Sequence, residues 1–214
     1  ILLDYLLASK QVELDFGKDI IPEMLKNNEK VYAHYFEGYW MDIGTYESYH
    51  EANLDLIKKS EEVGINLYDK NWKIYTKSIN SAPVRIGETG SIINSLVCDG
   101  CKIEGRVENS VLGPGVTVRV GSTVTNSIIF EGTYVSENAH IDYAIIDKYV
   151  NIGKFSLIGY GDDYTHNIEK PDLLYTGLSV LGKNTMVGDN VIIGRNIRIY
   201  SNMKIDSNTK IKSG

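Results

Sequence analysis

The chain has 214 residues, of which 43% are hydrophobic and 23% charged, with a formal net charge of −6. This length allows one large domain or two small ones with a sizeable core, and the composition is that of an ordinary soluble globular protein. The acidic balance argues against nucleic acid as a partner, which needs a concentrated basic face, and no apolar run is long enough for a helix to cross a membrane.

At the start, Asp4 interrupts the apolar run Ile1 to Leu7 and no basic segment precedes it. That argues against a signal peptide and for an amphipathic helix cut off at its beginning, so the sequence is expected to be part of a longer chain. Asp19-Ile20-Ile21-Pro22-Glu23-Met24-Leu25 predicts a helix start, with Pro in the first turn and acid near the N-terminus. Val31 to Trp40, rich in Tyr, Phe and Val, predicts one or two strands around Glu37-Gly38. Thr45 is the expected N-cap of a second helix, in which Tyr49, Ala52, Leu56 and Val63 recur near helical spacing. Lys58 and Lys59 suit its C-terminal dipole, and Gly64 is its expected stop.

Residues 65–90 read as an extended connector carrying Trp72, Ile74, Tyr75 and Ala82-Pro83. Beyond it the period changes. Leu181, Val187, Ile193, Ile199, Ile205 and Ile211 follow one another at six-residue steps. The same step joins Leu112, Val118 and Val124, then Ile129, Val135 and Ile141, then Ile146, Ile152 and Ile158. It fits neither a helix nor one long strand. It fits a solenoid with three short strands per coil, each sending one aliphatic side chain inward, with Gly, Asn and Asp at corners that require positive φ. The polar stretch 161–177, with Asp162, Asp163, Tyr164, His166, Glu169 and Pro171, is expected as a loop excursion between coils.

Cys98-Asp99-Gly100-Cys101 has the spacing of a redox pair or half a zinc site, but no second ligand pair accompanies it and it falls inside the repeat array. Two reduced thiols in a coil are expected, which fits a cytoplasmic location. The histidines His34, His50, His140 and His166 show no metal-ligand spacing and read as surface or core residues.

The segments Asp15-Phe16-Gly17-Lys18-Asp19-Ile20-Ile21-Pro22 and Tyr39-Trp40-Met41-Asp42-Ile43-Gly44-Thr45, followed by Glu51-Ala52-Asn53-Leu54-Asp55-Leu56, closely resemble the bacterial glucose-1-phosphate adenylyltransferase (ADP-glucose pyrophosphorylase) family. Asn66-Leu67-Tyr68-Asp69, Trp72-Lys73-Ile74-Tyr75-Thr76, Asn94-Ser95-Leu96-Val97 and Gly100-Cys101 continue the match in order. The resemblance implies a mainly β chain. The end of a Rossmann-like nucleotidyltransferase domain (1–64) and the connector (65–90) would lead into a left-handed parallel β-helix (91–214). It further implies an enzyme that makes ADP-glucose and pyrophosphate from ATP and glucose 1-phosphate with Mg²⁺, for glycogen synthesis. The family's Gly-rich nucleotide loop, its substrate-binding Glu-Lys segment and its first metal-binding Asp find no counterpart in these residues. The sequence is therefore expected to be the regulatory and oligomerisation part of the enzyme, inactive by itself.

Within the retained loop, Asp42 is the expected catalytic, metal- and substrate-binding residue, since Mg²⁺ on phosphate takes carboxylate ligands. By position alone Asp42 also suits a carboxylate capping the Thr45 helix. Trp40 reads equally as a wall of the sugar pocket and as core, Tyr39 as core, and Lys18 as a solvated lysine. The resemblance also implies homo- or hetero-tetramers and anionic metabolite effectors. Arg195 and Arg198, in the last coils with Lys204, are the candidate effector contacts, and Arg106 and Arg119 lie in earlier coils. Three alternatives remain open. One is a non-catalytic regulatory subunit of the same assembly. Another is a nucleotidyltransferase making GDP-mannose or UDP-sugars. The third is a hexapeptide acyltransferase using His140 or His166 as base.

Overall fold

The structure, a computed structural model, describes residues 1–8, 14–75 and 79–213; Thr76 of the resemblance lies outside them. The chain forms two compact units, Ile1–Gly38 and Tyr39–Gly214.

In the first unit, helix α1 spans Leu2–Ala8 and α2 spans Ile21–Lys26. Pro22 stands in the first turn of α2, where its missing N–H costs nothing. A π-turn at Phe16–Ile20 leads into α2, and the Asp15 carboxylate caps it by accepting from the Lys18 amide at 2.8 Å. The strands expected between Val31 and Trp40 do not form. A strand needs a partner edge, and the described residues of this unit contain none. Tyr32, Tyr35 and Phe36 stand exposed on non-regular backbone instead.

The second unit opens with α3, Tyr46–Asp55. Thr45 is its N-cap as expected, in a reciprocal capping box with Ser48. The helix does not run on to Gly64. Lys59 takes an extended conformation (ψ 139°), and a separate short helix α4, Ser60–Val63, ends at Gly64 in the left-handed region (φ 76°). Lys58 meets Asp55 at 2.6 Å beside the end of α3.

Residues 85–211 wind into a parallel β-helix of two- and three-residue strands, forming two seven-stranded sheets and one six-stranded sheet. Each six-residue step is one strand and one corner. In the first sheet Ile103, Val118, Val135, Ile152, Val187 and Ile205 stack in register. The second sheet stacks Val107, Val124, Ile141, Ile158 and Ile193, and the third stacks Leu112, Ile129, Ile146 and Leu181. Together they form one continuous aliphatic core, which no single coil could bury alone.

Most early coils are one residue short of three full steps, as in Val118↔Val135↔Ile152, and the Ile103↔Val118 coil is shortened further between Ile103 and Val107. The one-residue shortening falls at the corner before the third sheet, where Asn94, Asn109, Asn126 and Tyr143 adopt φ of 42–49°. Asn tolerates this region better than other side-chain-bearing residues. Serines satisfy the backbone beside it: Ser95, Ser110 and Ser127 hydroxyls accept from the amides of Ser110, Ser127 and Ala144 at 3.0–3.1 Å.

The stretch 161–177 leaves the array as expected and is tied back by named contacts. Buried Asn196 donates to the Tyr164 and Thr165 carbonyls at 3.1 Å and accepts from the Gly177 amide at 2.6 Å. Asn167 returns a bond to the Asn196 carbonyl at 2.9 Å.

Candidate functional site

The outward faces of the sheets differ. In the first sheet the outward positions are Lys102, Thr117, Tyr134, Asn151, Met186 and Lys204, a solvated mixture. In the third they are Leu96, Val111, Ile128, Ile145 and Val180, ending in Arg198. This apolar face is where α3 docks. Ile128, Ile145 and Leu178 form a second buried cluster, separate from the solenoid interior, against which Tyr46, Tyr49, Phe130 and Tyr143 pack. Tyr49 lies stacked near Phe130, ring centroids 6.3 Å apart. A polar contact at the centre of the helix completes the seam, His50 Nε2 to the Asn126 carbonyl at 2.7 Å.

Between the start of α3 and this face lies a cleft of about 630 Å³. Its rim is Ile43, Gly44 and Thr45, its wall Tyr46, Tyr49, Phe130 and Val180, and its far side Asp147, Leu173, Arg198 and Tyr200. The Arg198 guanidinium sits over the Tyr200 ring, 4.5 Å from its centroid, and the Tyr200 hydroxyl donates to Glu169 at 2.7 Å. The cleft is apolar and aromatic-walled, with one cation, Arg198, and one carboxylate, Asp147, on its far side, a lining that suits a small ligand with a flat or apolar body.

The loop that forms the rim carries the residues singled out from sequence. Asp42 is exposed, and one carboxylate oxygen accepts from the Gly44 amide at 3.1 Å. This bond closes a turn ahead of the helix, whose N-cap is Thr45, so Asp42 does not cap α3 and its other oxygen meets no protein donor among the described residues. Trp40 is 76% exposed, so it is not core. Tyr39 is half-buried and donates to Asp55 at 3.0 Å, tying the loop to the far end of α3. Lys18 lies in the first unit, exposed. No cluster of three or more His, Cys, Asp or Glu able to hold a metal occurs among the described residues.

The two candidate arginines part company. Arg198 lines the cleft. Arg195 does not: its guanidinium meets Asp142 at 2.9 Å, its Nε donates to the Gly161 carbonyl at 2.9 Å, and it lies over the Tyr164 ring. Arg119 bridges Glu104 and Glu137 on neighbouring coils, and Arg106 pairs with Glu108. Among the histidines, His140 Nδ1 contacts the Thr123 hydroxyl at 2.6 Å and His166 lies against Tyr175. Cys98 is exposed and Cys101 buried, both free, and burial pushes the Cys101 thiol up to about 11.

The aromatic residues of the cleft were not singled out from sequence. Their signal was present in the doublets Ile128-Ile129, Ile145-Ile146 and Val180-Leu181, where a second apolar residue accompanies each inward one. A solenoid face apolar on both sides must be covered.

Comparison with known proteins gives a consistent picture. Residues 80–170 match the family described as GlmU-like, C-terminal hexapeptide, and residues 1–59 match the nucleotidyl transferase family. The chain is 41% identical over 190 residues to the glucose-1-phosphate adenylyltransferase of Acetivibrio thermocellus, covering 87% of this chain and 44% of that protein. It is 45% identical over 132 residues to those of Bacillus mycoides and Bacillus cereus, covering 62% of this chain and 35% of each. The chain thus spans less than half the length of these curated relatives.

Proposed function

We propose that this chain, a homologue of the glucose-1-phosphate adenylyltransferases, is the regulatory and assembly part of an enzyme joining ATP and glucose 1-phosphate, and that it contributes one edge of the active site. The observation that carries the reading is the placement of the Tyr39–Thr45 loop. It is a segment on which the resemblance to the family rests, and its end, Ile43–Thr45, forms the rim of a cleft between a capped helix and the solenoid.

In the proposed reaction a phosphate oxygen of glucose 1-phosphate attacks the α-phosphorus of ATP. The bond to the β-phosphate oxygen breaks, and pyrophosphate leaves as ADP-glucose forms. Asp42 has one oxygen engaged by Gly44 and the other directed to no protein donor among the described residues, which suits a single carboxylate ligand for phosphate-bound Mg²⁺. Such an ion supplies neutralisation of the phosphate charge. Trp40, exposed beside Asp42, offers an apolar surface to the sugar ring. The Gly44 amide holds the carboxylate in place, and the Thr45–Ser48 capping box holds the loop to α3.

The β-helix carries the rest of the proposal. Arg198, beside Tyr200 in the cleft, is the contact for an anionic metabolite effector, whereas Arg195 is committed to Asp142 and the excursion loop. Tetramer formation through the solenoid, a cytoplasmic location and a place in glycogen synthesis complete the reading.

A chimera tests it. Residues 1–214 replace the matching part of the Acetivibrio thermocellus relative, and product is assayed with ATP plus glucose 1-phosphate and, separately, with acetyl-CoA. ADP-glucose synthesis that Asp42→Asn lowers at least about a hundredfold, with an unchanged melting temperature, supports the assignment. An unchanged rate removes Asp42 from the site, and acetyl transfer instead would overturn the reaction class. Residues 1–214 alone are expected to fold and to make no ADP-glucose.

A further inference from the structure

Apolar contact decides which face of the solenoid α3 lies on, but it fixes neither the rotation nor the height of the helix, because such contact is non-directional. Tyr46 and Tyr49 pack on the cluster of Ile128, Ile145 and Leu178 without a polar contact to it. One directional contact breaks this freedom. His50 is 1% exposed, the only residue of α3 so deeply buried, and its Nε2 lies 2.7 Å from the Asn126 carbonyl oxygen. A carbonyl only accepts, so Nε2 carries the hydrogen.

The acceptor is itself a fixed point. Asn126 sits at a left-handed corner (φ 48°), and its amide donates to the Glu108 carbonyl at 3.1 Å. Its side chain donates to Asp142 at 3.0 Å, within a column that continues through Asn109 to Asn94. The His50 ring also meets Tyr143, the corner residue of the next coil, edge-on at 4.9 Å. Two successive corners therefore grip one imidazole. Toward its N-terminus the helix passes rigidly to the Thr45–Ser48 capping box and so to Gly44 and Asp42.

We propose that His50 is a positioning residue: its bond to the Asn126 carbonyl sets the rotation and height of α3 on the β-helix and so places the Tyr39–Thr45 loop at the rim of the cleft. The functional importance of that placement rests on the reading of the loop as an active-site edge; the mechanical claim does not.

The test is hydrogen exchange, followed by mass spectrometry, on the 214-residue chain with His50→Phe and His50→Gln. Phe keeps an aromatic ring against Tyr143 and removes the donor. Gln places an amide donor near the position of Nε2. With Phe, exchange in peptides covering 43–50 is expected to rise about tenfold or more, while peptides covering 128–146 and the solenoid melting temperature stay as in the parent. Gln is expected to restore most of the protection. Unchanged exchange with Phe would overturn the proposal. So would a Gln variant as loose as Phe, which would assign the effect to packing. Loss spreading to the Ile128 and Ile145 strands would make His50 an ordinary core residue and overturn it too. No substrate enters this measurement, so failure of the Asp42 assignment in the chimera would leave its outcome intact, and the reverse holds.

Discussion

Arg195 reaches back past an entire coil to place its guanidinium 2.9 Å from Asp142, while its Nε holds the Gly161 carbonyl. The arginine side chain is only 14% exposed. Burial alone would raise the Asp142 pKa, but hydrogen bonds from Asn126, Thr125 and Arg195 outweigh it and hold the carboxyl below its ordinary value. The pair is the first fastening of the 161–177 loop.

Replacing Arg195 with Met should therefore release that loop selectively. Stability is expected to fall by about 1–3 kcal/mol, the usual range for losing a charged hydrogen bond in a part-buried setting. Limited proteolysis within 161–177 should quicken, while the stacked strands and their aliphatic core keep the coils themselves intact. Unaltered cleavage would show that Asn196 fastens the loop alone.

Acid should act in two stages. Burial lowers the His50 pKa below 6.5, so the unfolded chain takes up this proton first. The contribution of His50 is then complete above 6.5 and declines as pH falls from there toward the folded value. Asp142 follows the same sign lower down: its contribution is present above 3.8 and is lost as pH falls through its depressed folded pKa. In hydrogen exchange of peptides covering 43–50 measured against pH, His50→Gln should remove the upper stage, and in denaturant midpoints Asp142→Asn should reduce the lower one. A His50→Gln profile identical to the parent below pH 6.5 would contradict the first assignment.

Gly132 answers to two constraints at once. Its φ is 69°, and a Cβ there would stand 2.5 Å from Cδ1 of Tyr149, the residue at the same corner of the next coil. Gly132→Ala should cost about 1–3 kcal/mol. Tyr149→Asn, which copies Asn184 and Asn202 further along the column, should recover the steric part in the double variant and leave the backbone part. Strictly additive losses in a thermal-melt cycle would separate the two residues.

The thiols should titrate unequally. In native protein Cys98 should react with a disulfide reagent, whereas Cys101, buried and with its pKa near 11, should react only on unfolding. Two fast thiols would place Cys101 outside the core.

The solenoid was legible because one inward side chain per strand imposes a period that the sequence must display. The cap at Thr45 was legible because it is local chemistry; Gly64 does stop a helix, but the short α4 and not the one that Thr45 opens. What escaped depends on pairs distant in sequence. His50 gives no hint that Asn126, seventy-six positions away, offers it a carbonyl. Arg195 and Arg198 look alike as isolated cations, and only the fold commits the first to Asp142 and leaves the second in the cleft. The aromatic run before Trp40 suggested strands because Tyr, Phe and Val favour a pleated surface, but that preference acts only where a neighbouring edge exists.

The coil resumes after the 161–177 loop with Ser179 opposite Ala144 and Leu181 opposite Ile146, the pairing it would have had without the detour. Since the two ends of the detour leave and rejoin one corner, its length and composition are decoupled from the stacking of the coils. The β-helix is in this respect a peg rail: what hangs at that corner can be exchanged wholesale while every rung above and below keeps its seat.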